Sequence, residues 1–268
     1  MFPELNSILN TSPEHCPRGE FVLVSDRQAD ASFLIHHFLS FYLRAGCKVC
    51  FLGLVQSFSH YSAVGQRLGV NLVQARDRGQ LVFLEGLKDS LGTLLQEEPG
   101  PHANTLDFLS SPRPELRQLF EFVQRSVSPG PGEEGAGPVL IVDDLSVLLS
   151  LGLSPSALTD FSHYCRAAVC TELQGSVVVL VRTAEEEEEE EDKGSGLLLA
   201  GLSHHSSLEL RVQGLNTGHC RDIHGQLELC WRRGSSASGP AERRRVLQYK
   251  IQDRGVSFFA RGTSSAVL

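Results

Sequence analysis

Two apolar segments and the residues that follow them set the architecture of this chain. Glu20 to Val24 (EFVLV) reads as a buried strand that turns through Ser25-Asp26-Arg27-Gln28-Ala29-Asp30 into a helix opening at Ala31-Ser32. Far downstream, Val139-Leu140-Ile141-Val142 reads as a second strand and ends in Asp143-Asp144. This pairing is the layout of a nucleotide-binding P-loop domain, whose loop reads G-x-x-x-x-G-K-[ST]. There the glycines let backbone N–H groups close around phosphate, Lys neutralises it and Ser/Thr holds Mg²⁺. Laid over the same turn, the first Gly falls on Ser25, the second on Asp30 and the Lys on Ala31; only the hydroxyl survives, as Ser32. Asp26 and Asp30 would also repel polyphosphate. The architecture is kept and the phosphate grip is lost.

The rest of the first half alternates strand and helix. Ala29 to Ala45 carries Phe33, Leu34, His37, Phe38, Phe41 and Tyr42 at helical spacing, with Gly46 placed to end the helix. Lys48 to Leu54 and Leu81 to Leu84 read as further strands, with a helix from Ser59 to Leu68 between them that Gly69 stops. A loop-like stretch from Glu97 to Pro114 precedes a helix from Glu115 to Val127, and the flexible SPGPGEEGAGP leads into the Val139 strand. A helix from Ser154 to Glu172 and a fifth core strand, Gly175 to Arg182, follow. Near-continuous apolar strands separated by helices indicate a mostly parallel sheet covered on both faces.

From Ser207 the period changes to two. Leu208–Val212, Gln226–Trp231, Val246–Ile251 and Val256–Phe259 are expected to form antiparallel strands extending one edge of the sheet. Parallel β/α units followed by antiparallel hairpins describe a RecA-like branch of the P-loop folds. At 268 residues the chain fits one such α/β domain over 1–268, with 1–19 as an N-terminal extension and 183–196 as an acidic disordered loop.

Charge is distributed unevenly. The net −8 equals the eight charges of the Glu185–Asp192 run, whereas His205 to Leu268 holds ten Arg and Lys against five Asp and Glu. No apolar run approaches the roughly 20 residues of a membrane-spanning helix, and MFPELNSILN has no basic lead into an apolar core, so neither membrane span nor secretory signal is expected. Seven scattered cysteines argue for reduced thiols in the cytosol or nucleus.

Each candidate site has a plain structural alternative. Asp143, closing its strand, either holds Mg²⁺ as in a nucleotide hydrolase or caps the helix beginning at Leu145; without a phosphate loop the cap is the better reading. Cys47-Lys48-Val49-Cys50 has C-x-x-C spacing, but strand residues three apart face opposite sides, so buried thiols are expected rather than a redox or zinc pair. His219, Cys220 and His224, like His163 and Cys165, reach no four-ligand metal pattern, and a nucleophilic Cys165 or Cys220 would need a spatial neighbour the sequence does not supply. Arg232, Arg233, Arg243, Arg244 and Arg245 flank the flexible Gly234–Pro240 connection. They suit either phosphate recognition, with RNA the polyanion, or solvated hairpin ends that deter edge pairing. Trp231 and Tyr249 are placed to stack a base or to fill core positions.

Taken together, MFPELN, VLVSDRQADASFLIHHFL, PVLIVDDLSVLLSLG and the C-terminal hairpins resemble the sixth subunit of the Elongator complex, the tRNA wobble-uridine modification machinery. The resemblance spans essentially the whole chain. It implies a RecA-like fold without a Walker A lysine and assembly with the fourth and fifth subunits into a hetero-hexameric ring. That ring contacts tRNA and docks on the larger catalytic subcomplex, in the cytoplasm and also the nucleus. The resemblance supplies no catalytic residue, and with Ser25, Asp30 and Ala31 in the loop this chain's own ATP hydrolysis is not expected. Any ATP would sit at ring interfaces, mainly through partner subunits. The alternatives are a nucleotide hydrolase using Ser32 and Asp143 on the metal side, and a stand-alone RNA-binding module.

Overall fold

The computed structural model describes residues 1–86, 116–129, 136–183, 193–215, 220–232, 242–253 and 255–260. The Glu97–Pro114 loop, the Glu185–Asp192 run, His219, Arg233 and the Gly234–Pro240 connection lie outside them.

The described residues form one continuous sheet of nine strands: β1 (Phe21–Arg27), β2 (Val49–Gly53), β3 (Leu81–Glu85), β4 (Val139–Asp143), β5 (Ser176–Arg182), β6 (Leu208–Gln213), β7 (Gly225–Arg232), β8 (Glu242–Gln252) and β9 (Gly255–Ala260). Their order is β3-β2-β4-β5-β1-β6-β7-β8-β9. The first six are parallel and the last three antiparallel. The expectation of four antiparallel late strands is therefore corrected at its first member. β6 pairs parallel with β1, Val22 opposite Leu208 and Arg27 opposite Gln213, and only then does the chain turn back. Period two identifies a strand but carries no information on its direction.

Strand composition follows from two-sided coverage. In β1, Val22 and Val24 enter one apolar layer while Phe21 and Leu23 enter the other, so alternate residues are equally apolar. The first layer is built on α2 (Ser32–Arg44), supported by α3 (Phe58–Arg67) and α4 (Leu72–Asp77). On the other face lie α5 (Arg117–Val127), the short α6 (Val147–Ser150), α7 (Pro155–Arg166) and α8 (Lys193–Ser203). Caps start several of these helices. Ser57 accepts from His60 N–H, Asn71 from Gln74 N–H and Ser154 from Ala157 N–H. Gly46 and Gly69 sit just past α2 and α3 with φ of +77° and +78°, the left-handed conformation that glycine reaches without a Cβ penalty.

Three differences from expectation have local causes. α2 is buried almost all round, from Phe33 to Leu43, because the first nineteen residues cover its outer side. Within them α1 (Pro3–Leu9) packs on β9, Phe2 stacks on His37 at 5.4 Å, and the Phe2 N–H donates to His37 Nδ1 at 2.9 Å. The helix expected from Ser154 to Glu172 instead passes into a π-helical turn at Ala167–Glu172. α4 and α8 were invisible to periodicity, α4 because it has six residues and α8 because KGSGLLLAGLS is apolar without a polar face.

Phe51, fully buried at the centre of β2, stacks on Phe83 at 5.0 Å and meets Tyr61 edge-on at 4.7 Å. Truncation removes the ring from both contacts in a layer with no slack. Phe51→Ala is expected to cost about 3–5 kcal/mol in urea unfolding; a loss under about 1 kcal/mol would show that this layer is not close-packed.

Candidate functional site

β1 carries the first surprise. The strand does not end at Val24 but runs to Arg27, with Ser25, Asp26 and Arg27 paired to β6, and Ser25 and Asp26 also to β5. Only residues 28–31 link it to α2, and Gln28 makes that turn with φ +53°. The expected turn from Ser25 is thus corrected to a much shorter one, too short to encircle a phosphate as a six-residue loop does. Gly214 fits against it so closely that an added Cβ would stand 2.4 Å from the Gln28 carbonyl oxygen.

The first N–H groups of α2 point where a P-loop protein holds phosphate, and a helix N-terminus favours negative charge. Here the chain supplies that charge itself. The Ala31 N–H donates to Asp26 Oδ2 at 3.0 Å, and the Ser32 N–H donates to Asp30 Oδ1 at 2.9 Å. The Ser32 hydroxyl, the one surviving element of the motif, donates to Asp30 Oδ2 at 2.8 Å. Two carboxylates of the protein therefore occupy the donors that a nucleotide would need.

A cation completes the arrangement. β5 lies between β1 and β4, and Arg182 at its end reaches both sides. Its Nη2 is 3.3 Å from Asp30 Oδ1, and its Nε is 3.3 Å from Asp144 Oδ2 and 4.0 Å from Asp26 Oδ2. The positive charge missing at Ala31 is thus present, but on another strand and directed at the protein's own acids.

Asp143 and Asp144 divide the work expected of Asp143 alone. Asp144, not Asp143, caps the following turn, accepting from the Ser146 N–H at 2.8 Å and from the Ser146 hydroxyl. Asp143 faces inward and accepts from the Tyr61 hydroxyl at 2.6 Å, while its Oδ1 is buried without a partner among the described residues. Burial pushes both Asp26 and Asp143 up to about 6, and raises Asp144 as well. For Asp143 the Tyr61 hydrogen bond opposes that shift without cancelling it. Among the described residues no group of three or more His, Cys, Asp or Glu is placed to hold a metal ion.

The arginines expected around the hairpin are divided between the two faces of the sheet. In the β7–β8 register Trp231 faces Arg243, Cys230 faces Arg244 and Leu229 faces Arg245. Arg232 and Arg244 therefore share one face, Arg243 and Arg245 the other. Arg232 is anchored: its Nη2 lies 3.0 Å from Glu209 Oε1 and its Nη1 donates to the Ser203 carbonyl oxygen. Arg244 pairs with Glu228, and Arg211 with Glu209. Glu209 and Glu228 are buried, so these arginines neutralise acids that would otherwise be very costly to bury. Alternation of period two hid the glutamates: on strands with one apolar face they read as solvent residues. Arg243 lies over the Trp231 ring at 5.3 Å, and Arg245 is exposed. Trp231 is partly buried against the core and Tyr249 fully within it.

The remaining candidates stay apart. Cys47 enters one apolar layer and Cys50 the other, so the C-x-x-C sulfurs diverge. Cys165 is buried while His163 is exposed and faces His205, ring centres 5.0 Å apart. Burial raises the Cys165 thiol well above its ordinary range, the opposite of a nucleophile's needs.

A parallel core sheet with appended antiparallel strands defines a RecA-like fold. In it the N-terminal end of α2 is filled by the chain's own side chains, and the acids at the ends of β1 and β4 are held by Arg182 of β5. A solved structure of an uncharacterised protein from Pyrococcus horikoshii, in complex with an unknown peptide, superposes with a TM-score of 0.58 at 11% identity, covering 96% of each chain. The family described as Elongation complex protein 6 matches residues 2–253, and the chain belongs to that family. Its relatives include Elongator complex protein 6 of Danio rerio, 61% identical, and of Homo sapiens, 54% identical, each aligned over 100% of both chains. Elongator complex protein 6 of Dictyostelium discoideum is 23% identical over 92% of each chain. Membership makes the protein a subunit of the Elongator complex and a partner of its other subunits. Among the described residues no helix is long and apolar enough to cross a membrane.

The elevated Asp143 predicts a definite pH dependence. A carboxyl with a raised folded-state pKa contributes stability that is full below about 4 and lost as pH rises through about 6. Asp143→Asn keeps an oxygen for the Tyr61 hydroxyl and cannot ionise. Urea unfolding should find the variant more stable than wild type by about 1–3 kcal/mol at pH 7 and equal to it near pH 4. Parallel pH curves for the two proteins would refute the assignment.

Proposed function

We propose that this subunit is non-catalytic and acts by assembly: with the fourth and fifth Elongator subunits it forms a hetero-hexameric RecA-like ring that binds tRNA and supports wobble-uridine modification by the larger catalytic subcomplex. The observation that carries this reading is the closed helix end of α2 in a chain of the Elongation complex protein 6 family. A nucleotide arriving there must break the Asp26 and Asp30 hydrogen bonds and face Asp143 and Asp144 besides. Any ATP held by the ring is then held at interfaces, chiefly by the partner subunits. The hydrolase alternative needs a metal at Asp143, whose buried carboxyl instead takes the Tyr61 proton donor.

Co-expression with the fourth and fifth subunits, followed by intact-mass measurement, is expected to give a particle of six RecA-like subunits. Recovery of this chain as a stable monomer beside a complex of the other two would overturn the ring.

For RNA, the two faces of the β7–β8 pair support a reading in which the arginines have unequal roles. Arg243 and Arg245 share one face and would serve as phosphate contacts, whereas Arg232 and Arg244 hold buried glutamates; Arg233 lies outside the described residues. Arg243→Ala/Arg245→Ala should weaken tRNA binding by the assembled complex and make its salt dependence shallower by about one unit per arginine. A partial loss fits the ring, because neighbouring subunits also contribute contacts. Near-complete loss would favour the stand-alone RNA module, and unchanged binding would remove these residues from the interface.

A further inference from the structure

Cys16 and Cys47 are 31 positions apart in sequence, yet their Sγ atoms are 3.9 Å apart. Cys16 lies in the segment between α1 and β1; Cys47 lies between Gly46, which ends α2, and the start of β2. Neither sits inside a regular element. The Cys47 backbone is held by hydrogen bonds to Tyr42 and Gln80, so the roughly 2 Å that separates this contact from a disulfide bond length is closed by movement of the Cys16 segment. Cys16 is half-buried and lines a cavity of about 360 Å³ together with His15, Arg18, Ala136 and Gln174, whereas Cys47 is only 1% exposed. Access is therefore one-sided: a reagent reaches Cys16 first and Cys47 only through it. Hydrogen bonding from Cys47 lowers the Cys16 thiol below its ordinary range, assisted by the Arg18 charge, and the same contact with burial raises Cys47. Cys50, Cys165, Cys170 and Cys230 are all buried; Cys220 is half-buried like Cys16, and what sets Cys16 apart from it is the Cys47 sulfur beside it.

We propose that Cys16 and Cys47 form a thiol pair that oxidises to a disulfide by exchange with a small-molecule disulfide such as oxidised glutathione. The Cys16 thiolate attacks one glutathione sulfur, forming a mixed disulfide and releasing glutathione thiolate. Cys47 then gives up its proton and attacks the Cys16 sulfur, releasing the second glutathione. Two protein thiols are oxidised, one glutathione disulfide is reduced to two thiols, and the two protons end on the glutathiones. The staple would fasten the N-terminal segment to the base of the parallel sheet. That segment also reaches the opposite edge, where the Phe258 N–H donates to Glu4 Oε2 at 2.9 Å, and it covers α2 through Phe2 and His37. The disulfide would thus fix covalently, beside β2, a segment that is hydrogen-bonded to β9 at the opposite edge.

The test is equilibration of the full-length protein with mixtures of reduced and oxidised glutathione, followed by alkylation of remaining thiols and peptide mapping by mass spectrometry. The expected product is a single Cys16–Cys47 disulfide, reversed by dithiothreitol, with the other cysteines alkylated. In Cys47→Ala, Cys16 should stop as the mixed disulfide with glutathione; in Cys16→Ser, Cys47 should remain a thiol throughout. The Cys16→Ser variant changes a half-buried loop position, so it keeps the test valid if Cys47→Ala fails to fold. Accumulation of the mixed disulfide in the wild type, pairing of either cysteine with a different one, or full retention of both thiols would each overturn the proposal.

Discussion

The guanidinium of Arg182 is the interaction on which the functional end of this sheet depends. Asp26, Asp143 and Asp144 lie at the ends of β1 and β4, all nearly inaccessible to water, and Arg182 reaches Asp26, Asp144 and the exposed Asp30 at the start of α2 within 4.0 Å. Unscreened, such a group of acids would push the strand ends apart. β5 runs between β1 and β4, and a single cation at its terminus compensates acids on both sides. The compensation is incomplete, since burial still lifts Asp26 and Asp143 to about 6. What results is a closed electrostatic unit rather than an open receptor.

A second balance of the same type governs the antiparallel half. The β6–β7–β8 face away from α2 carries Glu209 and Glu228 beneath Arg211, Arg232 and Arg244, where a helix-covered sheet would carry leucines. Opposite strand neighbours place each acid within reach of an arginine, so register and charge pattern specify each other. The other face of the same strands is Leu210, Val212, Leu227, Leu229 and Leu247, continuous with the α2 layer. One sheet thus changes from two apolar faces to one at β6, where it also changes from parallel to antiparallel.

Much of this was legible in the sequence, and the boundary of legibility is physical. Apolar continuity located β1, β2, β4 and β5 because burial on both faces leaves no room for polar residues. Gly46 and Gly69 marked helix ends because their backbone conformation excludes most other residues. The absence of a phosphate grip at Ser25, Asp30 and Ala31 was equally plain. Its replacement was not, since Arg182 is 152 residues from Asp30 and only the strand order brings them together. The transfer of capping from Asp143 to Asp144 was hidden for a different reason: which of two adjacent acids turns inward depends on Tyr61, supplied by α3 on another crossover. The buried glutamates were missed because strand alternation reports which residues share a face, never what covers it.

The closure at α2 also shows how the fold satisfies its helix end from its own side chains. In a P-loop protein the N-terminal N–H groups of the helix wait for phosphate, and the empty loop leaves them to water. Here Asp26 and Asp30 satisfy them from within a few residues, at the high effective concentration of a tethered group. An external anion must displace carboxylates that cannot diffuse away, and its charge adds to that of four aspartates against one arginine. Each hydrogen bond that satisfies this helix end from within therefore raises the cost of binding nucleotide there. The order of this helix end and its unsuitability for phosphate are two consequences of the same hydrogen bonds.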